Sequence, residues 1–245
     1  MGRRTTNRHT GTPKGALLPF PPQHGGSRAG SGRKPKGEKA GVPHRQRLAL
    51  AMRFPVHVTV KLQKGLPRLR SSREYAALRA AFAAGCTGGA GAAGGGAFRL
   101  CHYAVLNDHL HFLVEARDRR ALSRGLQGLL IRVAKALNRL WQRNGRVFAD
   151  RYHDRILKTP REVRNAIRYV LGNGKKHAAE GREVAVPAAI DTFTSAPWFD
   201  GFRETVTGRG IEAMPRPVTD ANTWMLTIGW RRHGLLSVHE MPAAG

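Results

Sequence analysis

The chain has 245 residues, enough for one good core with tails, and sets 42 Lys and Arg against 16 Asp and Glu, a formal net charge of +26. That excess points to a polyanion, because each neutralised phosphate releases condensed counterions: nucleic acid first, an anionic membrane surface second, with no run of 18 or more apolar residues to span a bilayer. Two cysteines, Cys86 and Cys101, exclude a disulfide framework and a four-thiolate zinc site; "MGRRTTNRHTGTPKG" is basic with no apolar signal region after it, so the expectation is a cytoplasmic, nucleoid-associated protein.

Residues 1–53 are rich in Gly, Pro, Lys and Arg and lack hydrophobic periodicity. Such a composition cannot bury enough surface to offset chain entropy and predicts a disordered basic tail. Within it "GSGRKPKGEK" offers Arg33, Lys34 and Lys36 to phosphate. The stretch resembles an AT-hook without its Arg-Gly-Arg-Pro core, and the plainer reading is a solvated tail that binds phosphate non-specifically.

Order begins near Phe54. "PVHVTVKL" alternates, with Val56, Val58, Val60 and Leu62 on one face and His57, Thr59 and Lys61 on the other, a strand with one buried side. "SSREYAALRAAFAAG" predicts a helix capped by Ser71 or Ser72 and ended by Gly85. "CTGGAGAAGGGA" is a glycine-rich connector that lacks the Lys-Ser/Thr ending of a phosphate-cradling loop. "FRLCHYAVL" and "HLHFLVEA" are two strands joined by a turn at Asn107-Asp108.

Residues 121–144 hold the longest helical pattern, with Leu122, Leu126, Leu129, Leu130, Val133, Leu137, Leu140 and Trp141 as its apolar stripe. Arg132, Lys135, Arg139 and Arg143 line the opposite side, either a solvated face or a row of phosphate contacts. "DRILK" is a fourth strand and "TPREVRNAIRYVLGNGKK" a final helix, with Thr159 as N-cap, Pro160 at its first position and a glycine-containing stop. The order β-α-β-β-α-β plus a helix predicts an α+β, ferredoxin-like domain over residues 54–178, an antiparallel sheet with helices on one face. Residues 179–245 read as an irregular extension in which Trp198, Phe199, Phe202, Trp224 and Trp230 either wrap the domain or contact nucleic acid.

Two histidines stand out. Alternation puts Leu110, Phe112 and Val114 on one face of their strand and His109 and His111 together on the other. Residues two apart on a strand are roughly 7 Å apart at Cα, close enough for two imidazoles to converge on one ion. With 11 histidines in the chain a His-x-His pair also arises by chance, and hydrogen-bonded packing is the alternative. In the final helix Val163, Ile167, Val170 and Leu171 form the packing stripe; Tyr169 projects roughly 100° or more away from its centre, and Asn173, four residues on, shares the tyrosine's side.

Paired histidines separated by one hydrophobic residue, followed by a helix carrying Tyr-x-x-x-Asn, resemble the single-tyrosine HUH transposases. Within them the pattern is most similar to the REP-associated tyrosine transposases, which act on repetitive extragenic palindromes. "HVTVKL", "HLHFLVE" and "RYVLGN" carry the resemblance, which spans residues 54–178. It implies that His109 and His111 are metal ligands, Tyr169 the nucleophile, and Asn173 a third, polar ligand one turn past the tyrosine. It also implies single-stranded or hairpin DNA as partner, and action as a monomer or a homodimer. Two positions depart from the pattern: Asn173-Gly174 stands where Asn-Pro is usual, loosening the helix end, and "LNDH" where "MPNH" is common.

The residue types suit cutting a DNA strand so that it can be rejoined without an energy source. A phenolate conserves the phosphoester as a covalent 5′-phosphotyrosine and releases a 3′-hydroxyl. Tyrosine ordinarily ionises at a pKa of about 10, so it needs help. A divalent ion on two imidazoles and an amide can polarise the scissile phosphate. Such ligands suit Mg2+ or Mn2+, Mn2+ being better matched to imidazole; zinc fits less well, since Cys101 on the preceding strand has no obvious partner. Tyr152, in "FADRYHDRIL", is the competing nucleophile, with His153 beside it and no amide at helical spacing. His57 reads as an ordinary sheet histidine or one that orients DNA or a ligand. The rival from another class is a domesticated, non-catalytic DNA-binding protein, indifferent to Tyr169→Phe; a rolling-circle replication initiator would normally come with a larger chain.

Overall fold

Strict alternation of apolar and polar residues builds a four-stranded sheet in the computed structural model, which describes residues 47–87, 96–179, 181, 190–206 and 216–241. Arg33, Lys34 and Lys36, with nearly all of the 1–53 tail and most of the glycine-rich connector, lie outside the described residues. Strands β1 (Val56–Lys61), β2 (Phe98–Val105), β3 (His109–Ala116) and β4 (His153–Ile156) are ordered β2-β3-β1-β4. Every neighbouring pair is antiparallel. The Leu106 N–H donates to the His109 carbonyl at 3.0 Å, closing the Asn107-Asp108 turn where the sequence predicts it.

Three long helices cover the sheet: α1 (Ser72–Thr87), α2 (Arg119–Leu140) and α3 (Pro160–Ala179). Val56, Val58, Val60, Leu110, Phe112 and Val114 share one core with Leu78 and Phe82 of α1 and Leu122, Leu126 and Val133 of α2. The other face carries Cys101, Ala104 and Leu113, packed against Val163, Ile167 and Val170 of α3. Helices therefore lie on both faces, α1 and α2 on one and α3 on the other. The apolar Leu113, on the same side of β3 as the histidines, is what the third helix covers.

Helix starts follow the local chemistry. Ser71 caps α1: its Oγ accepts the Glu74 N–H at 3.3 Å and its hydroxyl donates to the Glu74 carboxylate. Asp118 caps α2 by accepting the Ala121 N–H at 2.7 Å. Thr159 Oγ1 accepts from the Glu162 N–H at 3.2 Å while Glu162 accepts the Thr159 N–H at 3.1 Å.

Helix ends differ from expectation, for packing reasons. α1 runs through Gly85 to Thr87, because a Cβ at Gly85 would sit 3.0 Å from Leu129 Cδ1; the glycine serves the α1–α2 approach and does not stop the helix. α2 stops at Leu140, short of 144, where Trp141 turns its indole N–H onto Glu74 at 3.1 Å and Gln142 takes φ 48°. α3 passes through Gly172 and Gly174 to Ala179. Gly174 does not loosen the end: a Cβ there would overlap the Asp191 carboxylate, which pairs with Arg70 at 2.9 and 3.1 Å in a buried bridge.

The C-terminal aromatics divide. Phe199 and Trp230 are buried in the α3 core with Leu226, whereas Trp224, at the start of the short helix α4 (Trp224–Thr227), is 45% exposed. Glu240 receives two bonds from Arg164 (2.8 and 2.9 Å) and one from Arg168 (2.9 Å), fastening this segment to α3. Those bonds, Arg164 first, pull the Glu240 carboxyl down to about 2 against the opposing effect of burial. No helix among the described residues is long and apolar enough to cross a membrane.

Candidate active site

The β1–β3 register sets Thr59 opposite His111 and Lys61 opposite His109. The face of β3 that carries these histidines looks toward α3. Along α3, residues 169, 173 and 177 recur every four positions and so share one side of the helix. The structure brings the two sets together. The Tyr169 ring centroid lies 5.2 Å from that of His111 and 5.7 Å from that of His57. His109 and His111 are 4.9 Å apart by the same measure, and His109 and His177 5.5 Å.

Partners are unevenly supplied. His109 Nδ1 is 2.6 Å from Asp108 Oδ1. His111 Nδ1 is 3.1 Å from both Thr59 Oγ1 and His57 Nε2. His111 Nε2 is buried with no hydrogen-bond partner, and so are both Asn173 amide atoms, Oδ1 and Nδ2, on a residue with 0% exposure. A buried polar atom left unpaired costs about 1–3 kcal/mol, so the unpaired atoms of His111 on β3 and Asn173 on the α3 side that bears Tyr169 are positions where a further partner would be favourable.

Burial, then the Arg155 charge, lowers the His57 pKa to about 4. Burial, then the neighbouring His57, His109 and His177, holds His111 well below the usual histidine range. Both rings are neutral at physiological pH, the form that offers a lone pair to a metal. Two histidines and an unpartnered amide fit a divalent ion: His109, His111 and Asn173 are the residues that would hold it. Among the described residues no group of three His, Cys, Asp or Glu side chains is placed to do so without the amide.

Other expected residues lie elsewhere. Arg132, Lys135 and Arg139 are on α2, across the sheet from Tyr169, and Arg143 lies beyond the end of α2 with its guanidinium on Asn138 Oδ1 and the Arg146 carbonyl. Tyr152 packs on the α2 side, its hydroxyl 3.3 Å from Ser123 Oγ and its ring 3.7 Å beneath the Arg47 guanidinium, away from the histidines.

The structure adds Thr59 and His177 to this cluster and sets His57 directly against His111. Their signals were present but non-local. His57 and Thr59 share the polar face of β1, which meets His111 only through the register. His177 continues the 169–173 spacing, but a helix expected to stop at glycine excluded it.

No family model and no curated protein matches this chain. Among solved structures, the chain is similar to a REP-associated tyrosine transposase bound to a REP hairpin, at 14% identity over 58% of this chain and 76% of that one, with a TM-score of 0.44.

Proposed function

We propose that this protein is a metal-dependent, single-tyrosine transposase that cleaves and rejoins single-stranded DNA at hairpin or palindromic sites. The observation that carries the reading is the ring contact of Tyr169 with His111, itself beside His109, with a wholly buried, unpartnered Asn173 one turn further along the same side of α3. The strand order and the placement of α1 and α2 agree with the ferredoxin-like plan, and the +26 charge agrees with a DNA partner.

Tyr169 Oη attacks the scissile phosphorus, and the bond from phosphorus to the 3′ oxygen breaks. The phenolic proton ends on the departing 3′ oxygen, and the phosphodiester is kept as a 5′-phosphotyrosine. Attack by a second 3′-hydroxyl reverses these bonds and frees the tyrosine. His109, His111 and Asn173 would hold Mg2+ or Mn2+, the imidazoles favouring Mn2+; such an ion would supply positive charge near the phosphate under attack. Arg132, Lys135, Arg139 and Arg143 hold DNA away from the point of cleavage, and Arg33, Lys34 and Lys36 bind DNA phosphate, in a protein of the nucleoid that acts as monomer or homodimer.

The test is a set of single-stranded oligonucleotides from the palindromic DNA flanking the gene, incubated with the protein and Mn2+ or Mg2+ and run on a denaturing gel. A covalent adduct that needs metal and is lost in Tyr169→Phe and His109→Ala is the expected result. Salt-sensitive binding with no adduct on any strand or metal would replace this reading with a DNA-binding protein that lacks catalysis.

A further inference from the structure

We infer that Thr59 and His57 position His111 for metal binding by fixing which of its ring nitrogens keeps a lone pair. The inference rests on the metal reading above. Thr59 stands opposite His111 in the β1–β3 register, and His57 lies two residues away on the same face of β1. Their Oγ1 and Nε2 atoms are each 3.1 Å from His111 Nδ1, while His111 Nε2 is buried with no partner.

A neutral imidazole has one N–H and one lone pair, so the two nitrogens cannot both be ready for a metal. With the hydrogen on Nε2, a donor is buried without an acceptor, which is the costly arrangement. With the hydrogen on Nδ1, it points between two acceptors, Thr59 Oγ1 and His57 Nε2, and the one N–H of the ring is paired. Nε2 then keeps the lone pair, the form a metal ligand requires. His57 carries its own hydrogen on Nδ1 in this arrangement. Thr59 and His57 act through His111, as the partners behind metal-bound histidines do, and are positioning residues. The arrangement also explains the hydroxyl at position 59: valine would match its shape but could not accept a hydrogen bond.

Two measurements on the full chain test this. Long-range 1H–15N correlation of the histidine rings in metal-free protein should show His111 with its hydrogen on Nδ1, and a gain of the Nε2–H form in the Thr59→Val, His57→Phe double variant. Mn2+ titration followed by electron paramagnetic resonance should show roughly tenfold weaker binding in Thr59→Val, recovery in Thr59→Ser, and loss in His111→Ala. Hydrogen on Nε2 in the parent overturns the proposal. So does a Thr59→Val protein that binds Mn2+ as tightly as the parent, or equal weakening in Thr59→Ser and Thr59→Val, which would make the effect one of packing. A parent with no saturable Mn2+ site strikes the metal reading instead, and the metal-free ring spectrum still decides what Thr59 and His57 do to His111.

Discussion

The two faces of the sheet follow opposite rules. Under α1 and α2, the inward residues Val56, Val58, Val60, Leu110, Phe112 and Val114 are all apolar and no more than 1% exposed. Under α3, β1 contributes His57 and Thr59, and β3 contributes His109, His111, Leu113 and Glu115. Even among the polar residues of that face the supply of partners differs. The buried Glu115 carboxylate accepts the Asn222 and Thr223 N–H groups, each at 2.8 Å, whereas His111 Nε2 and Asn173 at the other end of the face have none. A fold able to satisfy one buried polar group with such economy has left others open at one place. One face is uniformly apolar; the other combines an apolar core with a polar end, where the proposed chemistry would take place.

Mutations should separate the two. Phe112→Ala, in the α1–α2 core, is expected to cost about 3–5 kcal/mol by urea unfolding, from lost burial and a cavity. A substitution at the polar end of the α3 face, such as His109→Ala, that cost as much would blur the contrast. Acid should act chiefly on the α3 face, where His57, His102 and His111 are all depressed. His102, bonded to Ser195 Oγ and set against Phe199, is lowered to about 4 by burial first. Its stabilising effect is therefore fully present above the ordinary value of 6.5 and is lost as pH falls through about 4, because the unfolded chain takes the proton first. At pH 5 this amounts to roughly 2 kcal/mol for His102, and urea titrations at pH 7 and 5 should show it shrink in His102→Leu.

Smaller effects sharpen the comparison further. Glu240→Gln weakens the Arg164–Arg168 clamp that fastens the C-terminal segment to α3 and should cost about 1–2 kcal/mol in the same assay. Asn173→Leu is expected to leave stability unchanged or raise it by about 1 kcal/mol, since it removes a buried amide without partners, while abolishing metal-dependent adduct formation. A large stability loss there would mean that the amide is structural. Lys135→Ala and Arg139→Ala, across the sheet from Tyr169, should leave cleavage of a short oligonucleotide intact; each lowers the salt slope for longer DNA by about 0.9 if it meets a phosphate.

The sequence showed most clearly what is local and periodic. Alternation located β1 and β3 and assigned their faces, capping residues located the starts of α1 and α3 but not that of α2, and the 3.6-residue period separated Tyr169 from the packing stripe of α3. Glycine misled at Gly85 and Gly174, because its meaning there lies in a neighbour, Leu129 in one case and Asp191 in the other, that is distant in sequence. The roles of His57 and Thr59 needed the strand register. The core role of Phe199 and Trp230 had no periodic signal, since the segment that bears them is held by side-chain clamps such as Arg164–Glu240 and by short turns. The α2 basic row was legible as a row, but the side of the sheet it occupies was not.

The most direct measurement is mass spectrometry of the trypsin-digested covalent adduct. The account predicts DNA on the peptide that begins at Tyr169, following cleavage after Arg168. Nucleotide found on the peptide containing Tyr152 would move the chemistry to the α2 side of the sheet, away from the histidines, and contradict it.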